Sequence, residues 1–258
     1  MFTINNIFES ATAFDIQSRR PDFAVLPIGS FEQHGAHLPM ETDTLIACSI
    51  ARRLVQSYNC FMISPITVSC SHEHSGFFPS VWISPSTLYA IIKDLTEALE
   101  FHGLRKICIV NAHGGNYILK HFAQIENIDK NKILLMPIPR LLDQAIEAAG
   151  IQHSQKMDMH AGEYETSVLL ADYPDLVKKE LSQDHEATSR YFFHLHGMHY
   201  YSESGVIGYP EQASAEKGEL AMSNLISLLK PSMEEFISLS HEKVIQKFDH
   251  LGSIHPNW

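Results

Sequence analysis

The chain has 258 residues, 45% of them hydrophobic and 19% charged, a normal globular composition with length for a substantial core. Its net charge of −11, with no Lys/Arg cluster, argues against nucleic acid as the main partner, because phosphate contacts need clustered cations. No apolar run approaches the roughly 20 residues of a spanning helix, so no membrane partner is expected. MFTINNIFES at the N-terminus has neither a basic region nor a long apolar run, so a signal peptide is not expected either.

In chain order, AVLPIG (24–29) reads as a buried strand and TDTLIACSIARRLVQSY (42–58) as an amphipathic helix capped by Thr42 or Asp43. FMISPITVS (61–69) reads as a second strand, and 84–103 as a helix stopped at Gly103. KICIVNA (106–112) is apolar, β-branched and short, the mark of a central strand. A helix over 116–128, a strand over 132–139 and a helix over 140–150 complete the alternation. The rhythm predicts an α/β fold with a mostly parallel sheet and helices on both faces. From 151 to 209 the pattern loosens, with helices expected at 161–172 and 174–181, and a last helical segment over about 212–241. With no repeat, linker or low-complexity tract, a single domain over 1–258 is expected. Cys48, Cys60, Cys70 and Cys108 are widely spaced without CxxC, as expected for reduced, mostly buried thiols in a cytoplasmic protein.

Sixteen histidines against 19 Lys plus Arg is the unusual entry in the composition. Ligands of parallel α/β sheets gather beyond the carboxyl ends of the strands. Glu32 and His34 follow the first predicted strand, His72 and His74 the second, and His113 the third. Three strand ends thus deliver metal-capable side chains to one edge. In an extended segment Glu32 and His34 point to the same side, and Asp43, at a helix start, could bridge two cations through its two oxygens. In NAHGGN (111–116), Gly114 and Gly115 permit a sharp turn with His113 at the strand tip, and Asn116 could cap the next helix. The absence of GxGxxG and GK[ST] makes nucleotide binding the weaker reading. DMHAGEYETS (158–167) brings His160 near a helix start. Glu163 and Glu165, two apart on that helix, point in rather different directions. One could bind metal while the other holds a histidine or carries a proton. Carboxylates and imidazoles without thiolate favour catalytic Zn, Mn or Fe over a structural zinc. Two ions sharing a carboxylate would stand about 3.5–4 Å apart and activate a bridging water, which suits hydrolysis of an amide.

PIGSFEQHGAHLPMETD, NAHGGN, HAGEYETS and SGVIGYPEQASAEKG resemble, in order, motifs of the creatininase (creatinine amidohydrolase) family. The resemblance runs from about Pro27 to Gly218. It implies a three-layer α/β/α sandwich, a homohexamer and a site for two divalent ions, zinc first with manganese or iron as alternatives. It implies Glu32, His34, bridging Asp43 and His113 as ligands. The family's carboxylate two residues after that last histidine is replaced here by Gly115, so the fifth ligand is assigned to Glu163, with Glu165 as the alternative. His160, paired with Glu165, matches the catalytic histidine that passes a proton to the leaving nitrogen. His37 and Glu41 are left supporting or structural roles. CSHEHSGFFPSVWIS (70–84) resembles the loop bordering the substrate, with Ser80 and Val81 in place of Gly-Thr, and His74 and Trp82 as candidate substrate contacts. The implied activity is metal-dependent hydrolysis of a small cyclic amide or formamide. Alternatives are a peptidase on a short peptide, as with the family member that trims the mycofactocin precursor, or a non-catalytic metal-binding assembly protein.

Overall fold

The computed structural model describes residues 11–154 and 156–241. The N-terminal stretch read for a leader, residues 1–10, lies outside the described residues, as does the chain beyond 241. Four parallel strands, β1 (Phe23–Ile28), β2 (Cys60–Met62), β3 (Ile107–Asn111) and β4 (Ile133–Met136), form one sheet in the order β2-β1-β3-β4. The helices are α1 (Ala13–Arg19), α2 (Thr42–Ser57), α3 (Pro85–Phe101), α4 (Ile118–Glu126), α5 (Pro139–Ala148), α6 (Glu163–Asp172), α7 (Phe193–His196) and α8 (Ala215–Ser238).

Strand alternation sorts the core into two layers. Phe23, Val25, Cys108 and Val110 pack on one face against α2, α5, α6 and α8. Leu26, Ile28, Ile107 and Ile109 pack on the other against Leu88 and Ile92 of α3 and Leu119 and Phe122 of α4. This is the expected α/β/α sandwich. α2 is buried all round from Thr42 to Ala51 and again at Leu54, because it lies between the sheet, α6 and α8. Lys106 closes the end of α8, donating from Nζ to the carbonyls of Phe236, Ile237 and Leu239 at 2.6–2.8 Å, where helix carbonyls lack internal partners. All four cysteines are buried thiols outside any disulfide. Among the described residues no helix is long and apolar enough to cross a membrane.

Several local expectations change. The second strand ends at Met62 rather than running to 69, leaving only a bridge from Ile66 to Ile28. Pro65 lacks a ladder donor, which accounts for the break. The helix expected over 174–181 is two single 3-10 turns, Pro174–Leu176 and Lys179–Leu181. Between them Val177 is extended and the Lys178 N–H donates to the His37 carbonyl, so the backbone is diverted from a helical ladder. Neither Thr42 nor Asp43 caps α2. Its N-cap is Glu41 without a side-chain bond, and the Thr42 hydroxyl donates to Pro39 O. Asn116 does not cap α4, which begins two residues later. Its amide ties the Cys70 N–H to Asn111. α1 was missed, although Thr12 and Asp15 form a capping box at its start. It buries no residue, so it leaves no periodic apolar signal.

Candidate metal centre and active site

Ile28 stands opposite Asn111 in the β1–β3 register, so the chain leaves both strands at one height. The loops that follow carry Glu32 and His34 from β1 and His113 from β3. The 3-10 turn His72–His74 follows β2. Asp43 enters from the first turn of α2, where the helix dipole favours a carboxylate. The segment around His160 is held by main-chain bonds with Ile207. It leads through Gly162 into α6.

These side chains converge in a buried cluster. His113 Nδ1 lies 3.3 Å from Glu32 Oε1 and 3.1 Å from Asp43 Oδ2. His34 Nε2 lies 3.3 Å from Asp43 Oδ1 and 3.9 Å from Glu165 Oε2. The donor atoms fall into groups within 4.8 Å: Glu32, Asp43 and His113 in one, His34, Asp43 and Glu165 in a second, and Glu32, His34 and His160 in a third. Asp43 is shared by the first two, with one oxygen toward each. Two donors on one zinc at about 2.0–2.1 Å and tetrahedral angles stand about 3.3 Å apart, which matches the His113–Glu32, His113–Asp43 and His34–Asp43 spacings.

Neighbouring carbonyls set the tautomers, as assigned from partners. His113 Nε2 donates to Cys70 O at 3.0 Å and His34 Nδ1 to Glu32 O at 3.1 Å. The opposite nitrogen of each ring is left free toward the cluster. His160 Nε2 lies 2.7 Å from Gln33 O. It must carry the proton, because a bare nitrogen would face the carbonyl lone pairs, and Nδ1 keeps its lone pair 3.8 Å from Glu32 Oε1.

The electrostatics ask for positive charge. Glu32, Asp43 and Glu165 bring three carboxylates, and no Lys or Arg lines the cavity beside them. Burial opposes ionisation of Asp43, but the imidazoles of His34 and His113 hold its carboxyl well below the usual range. Burial would lower His34, yet Asp43, Glu165 and Glu32 push it up to about 9; His113 is driven up in the same way by Glu32 and Asp43. Burial raises Glu165 to about 8. Burial and the neighbouring His160 lower His74 to about 3, and burial and His34 lower His160. Both oxygens of Glu32 are buried with no aligned hydrogen-bond partner, although imidazole nitrogens stand close by. A buried carboxylate in that condition costs stability unless a cation meets it. The residues fit a pair of divalent ions.

The two α6 glutamates separate clearly. Positions two apart on a helix differ by about 200° in direction. Glu163 is fully buried and pairs with Lys217 Nζ of α8, so it faces away from the cluster. Glu165 turns to His34 and also accepts from the Ala161 N–H at 2.7 Å. The expected assignment of the fifth ligand to Glu163 therefore does not match the geometry, which brings in Glu165.

A cavity of about 160 Å³ opens over the cluster, lined by Glu32, Asp43, Glu73, His74, His113, Gly114, Gly115, Tyr117, Met159, His160, Glu165, Phe193 and Met198. A larger groove beside the end of α5, lined by Asp143, Glu147 and His153 among others, shares no residue with it. His74 lines the cavity, with Nε2 3.1 Å from Glu32 Oε1. Trp82 does not. It is 41% exposed and packs at an angle on His72, ring centroids 5.8 Å apart. His37 supports α6 through Thr166 Oγ1 at 3.0 Å, and Glu41 is exposed.

Two residues escaped sequence reasoning. Glu73 lines the cavity, 3.6 Å from His113 Nε2, and a Cβ at Gly115 would collide with its carboxylate and with the Cys70 carbonyl. The glycine at 115 is thus sterically required. Its signal was present in CSHEHS, one position before His74. Gln33 contacts both His74 and His160, and nothing in its spacing marked it.

Among known proteins, the creatininase family model, described as creatinine amidohydrolase, matches residues 9–230. The mycofactocin precursor peptide peptidase of Mycolicibacterium smegmatis is 28% identical over 229 residues, covering 84% of this chain and 86% of the relative. Of solved structures, a manganese creatininase superposes with a TM-score of 0.73 at 21% identity, covering 91% of this chain and 100% of that one. A creatininase variant of the Zn-Zn type gives 0.75 at 21%, covering 91% and 99%.

Proposed function

Because the chain belongs to the creatininase family and is a hydrolase of carbon–nitrogen bonds, we propose that its buried cluster holds two divalent cations and cleaves a small cyclic amide or formamide. The observation that carries this is Asp43, whose two oxygens face the two donor groups separately. Glu32, Asp43 and His113 would hold one ion, and His34, Asp43 and Glu165 the other. Zinc is the first expectation for imidazole and carboxylate donors, with manganese or iron next. The solved relatives named for manganese and zinc accord with that choice. When bound, the pair supplies Lewis acidity and a water activated to attack a carbonyl carbon.

The chain's own residues do the rest. His160 lines the cavity and presents its free Nδ1 there, placed to take a proton and return it to the leaving nitrogen. Glu165 approaches the same floor from α6, and its bond from the Ala161 N–H fixes the turn that carries His160. Met159, Phe193 and Met198 wall the cavity and restrict water around the reacting amide. The cavity volume of about 160 Å³ favours a small substrate. A second reading, a peptidase on a short peptide, is favoured by the similarity to the mycobacterial peptidase. A homohexamer is part of the proposal, supported by the family resemblance and by exposed Phe78, Tyr191 and Leu195.

Metal analysis combined with a hydrolysis screen tests the reading. The purified chain is expected to hold two ions and to cleave at least one of creatinine, cyclic ureides, formamides and short peptides. Asp43→Ala should lose both ions, whereas His160→Ala should keep them and lose turnover. Full metal occupancy in Asp43→Ala would refute the bridge, and metal loss in His160→Ala would make His160 a ligand.

A further inference from the structure

Gln33 lies between two proposed ligands, Glu32 and His34, yet its side chain points out of the cluster into a closed set of partners. Its Oε1 accepts from the Gly35 N–H at 2.8 Å. Its Nε2 lies 3.2 Å from Gly205 O, 3.1 Å from His74 Nδ1 and 3.2 Å from His160 Nε2. The donor at Gly35 and the acceptor at Gly205 fix which end of the amide is oxygen. The –NH2 has two protons. One goes to Gly205 O. His160 Nε2 is already a donor, to the Gln33 carbonyl at 2.7 Å, so it cannot receive the second. That proton goes to His74 Nδ1.

From this we infer that Gln33 is a positioning residue that holds His74 as a neutral ring with its proton on Nε2, beside Glu32, and through that ring's contact with His160 keeps Nδ1 of His160 open to the cavity. His74 Nε2 stands 3.1 Å from Glu32 Oε1 without being aligned for a hydrogen bond, so the tautomer decides whether a proton or a lone pair lies beside that carboxylate. A lone pair would repel it. His74 and His160 also pack ring against ring at a tilt of 48°, their centroids 4.5 Å apart, so displacement of one ring moves the other. The seat of Gln33 is prebuilt. Gly205 has φ +80, and a Cβ there would strike Gln33 Oε1. The Gln33 N–H is itself anchored on Ser80 Oγ at 3.1 Å. Gln33 does not line the cavity, so its influence on substrate runs through the two imidazoles.

The inference rests on the two-metal hydrolase reading for its effect on turnover, but not for its effect on His74. Histidine-selective 15N labelling of the zinc-loaded and zinc-free chain reads the ring tautomers directly. The wild-type chain should show His74 as a single Nε2–H tautomer. Gln33→Glu retains an acceptor for Gly35 but offers no proton to His74 Nδ1, and Gln33→Met offers neither group. Both should abolish the single tautomer while two zinc ions per chain remain. On the best substrate of the screen, kcat should fall by about 10- to 100-fold, as for other residues that orient those at a metal site, with KM moving less than about threefold. If Gln33→Met does not fold, Gln33→Glu carries the measurement. An Nδ1–H tautomer of His74 in the wild-type chain, or an unchanged tautomer and kcat in Gln33→Glu, overturns the role. A wild-type chain that binds no zinc and cleaves no amide defeats the hydrolase reading instead, and leaves the His74 spectrum to decide for Gln33.

Discussion

Glu165 Oε2 stands 3.9 Å from His34 Nε2, and this approach completes a second donor group with a carboxylate that Gly115, two residues after His113, does not supply. Gly115 cannot, since any Cβ there collides with Glu73 and the Cys70 carbonyl. The carboxylate arrives instead from the first turn of α6.

Glu165→Gln should therefore reduce bound metal from two ions to one, because an amide is a weak donor and neutral. Glu163→Gln should leave both ions in place. It should lower stability instead, by about 1–3 kcal/mol, since it removes the buried charge facing Lys217. Metal analysis with thermal melts separates the two. One ion lost in Glu163→Gln and none in Glu165→Gln would reverse the assignment.

Metal-free protein should lose stability as pH rises from about 6.5 to 9. His34, raised to about 9, and His113, raised also, bind protons in the folded chain that the unfolded chain has released above its ordinary histidine value. Glu165, raised to about 8, acts in the same direction. The folded state then binds more protons across that window, so its stability falls with pH. Zinc must displace these protons. Calorimetry at pH 7 in buffers of different ionisation enthalpy should register proton release on zinc binding, and the loaded protein should lose the alkaline slope.

Asp158 accepts from Glu163 N and Tyr209 N on Oδ1, at 2.7 and 2.9 Å, and from Tyr164 N on Oδ2 at 2.9 Å. It pins the start of α6 to the segment that pairs with His160, although it touches no proposed ligand. Asp158→Ala leaves these N–H groups without an acceptor and should cost about 2–4 kcal/mol. Chemical denaturation of the metal-free chain reads this apart from metal loss. A change under about 0.5 kcal/mol would show that α6 is anchored otherwise.

The hexamer is checked by light scattering after gel filtration. Six chains of 29.1 kDa give about 175 kDa, and a species near 29 kDa would contradict it.

Much of this was legible in the sequence because strand ends concentrate function. Glu32, His34, His74 and His113 could be placed on one edge from the β-strand pattern alone, and Asp43 at a helix start. The choice between Glu163 and Glu165 could not be made locally. Helix geometry says that they diverge, but only the position of Lys217 on α8, 54 residues after Glu163, decides which one turns inward. Asp43 looked like a cap because caps and ligands favour the same residue at the same place. Its oxygens went to Ser30, His34 and His113 instead. Trp82 looked like a substrate contact from its neighbourhood, yet its ring packs on His72 and does not line the cavity. Gln33 stayed hidden because its partners lie 41, 127 and 172 residues away.

Asp43 bridges the two ions of the proposed site. Anomalous diffraction from zinc-soaked crystals, recorded on both sides of the zinc edge, tests it most directly. Two peaks about 3.5–4 Å apart are predicted, one bounded by Glu32, Asp43 and His113, the other by His34, Asp43 and Glu165. A single peak, or a second one away from Glu165, would contradict it.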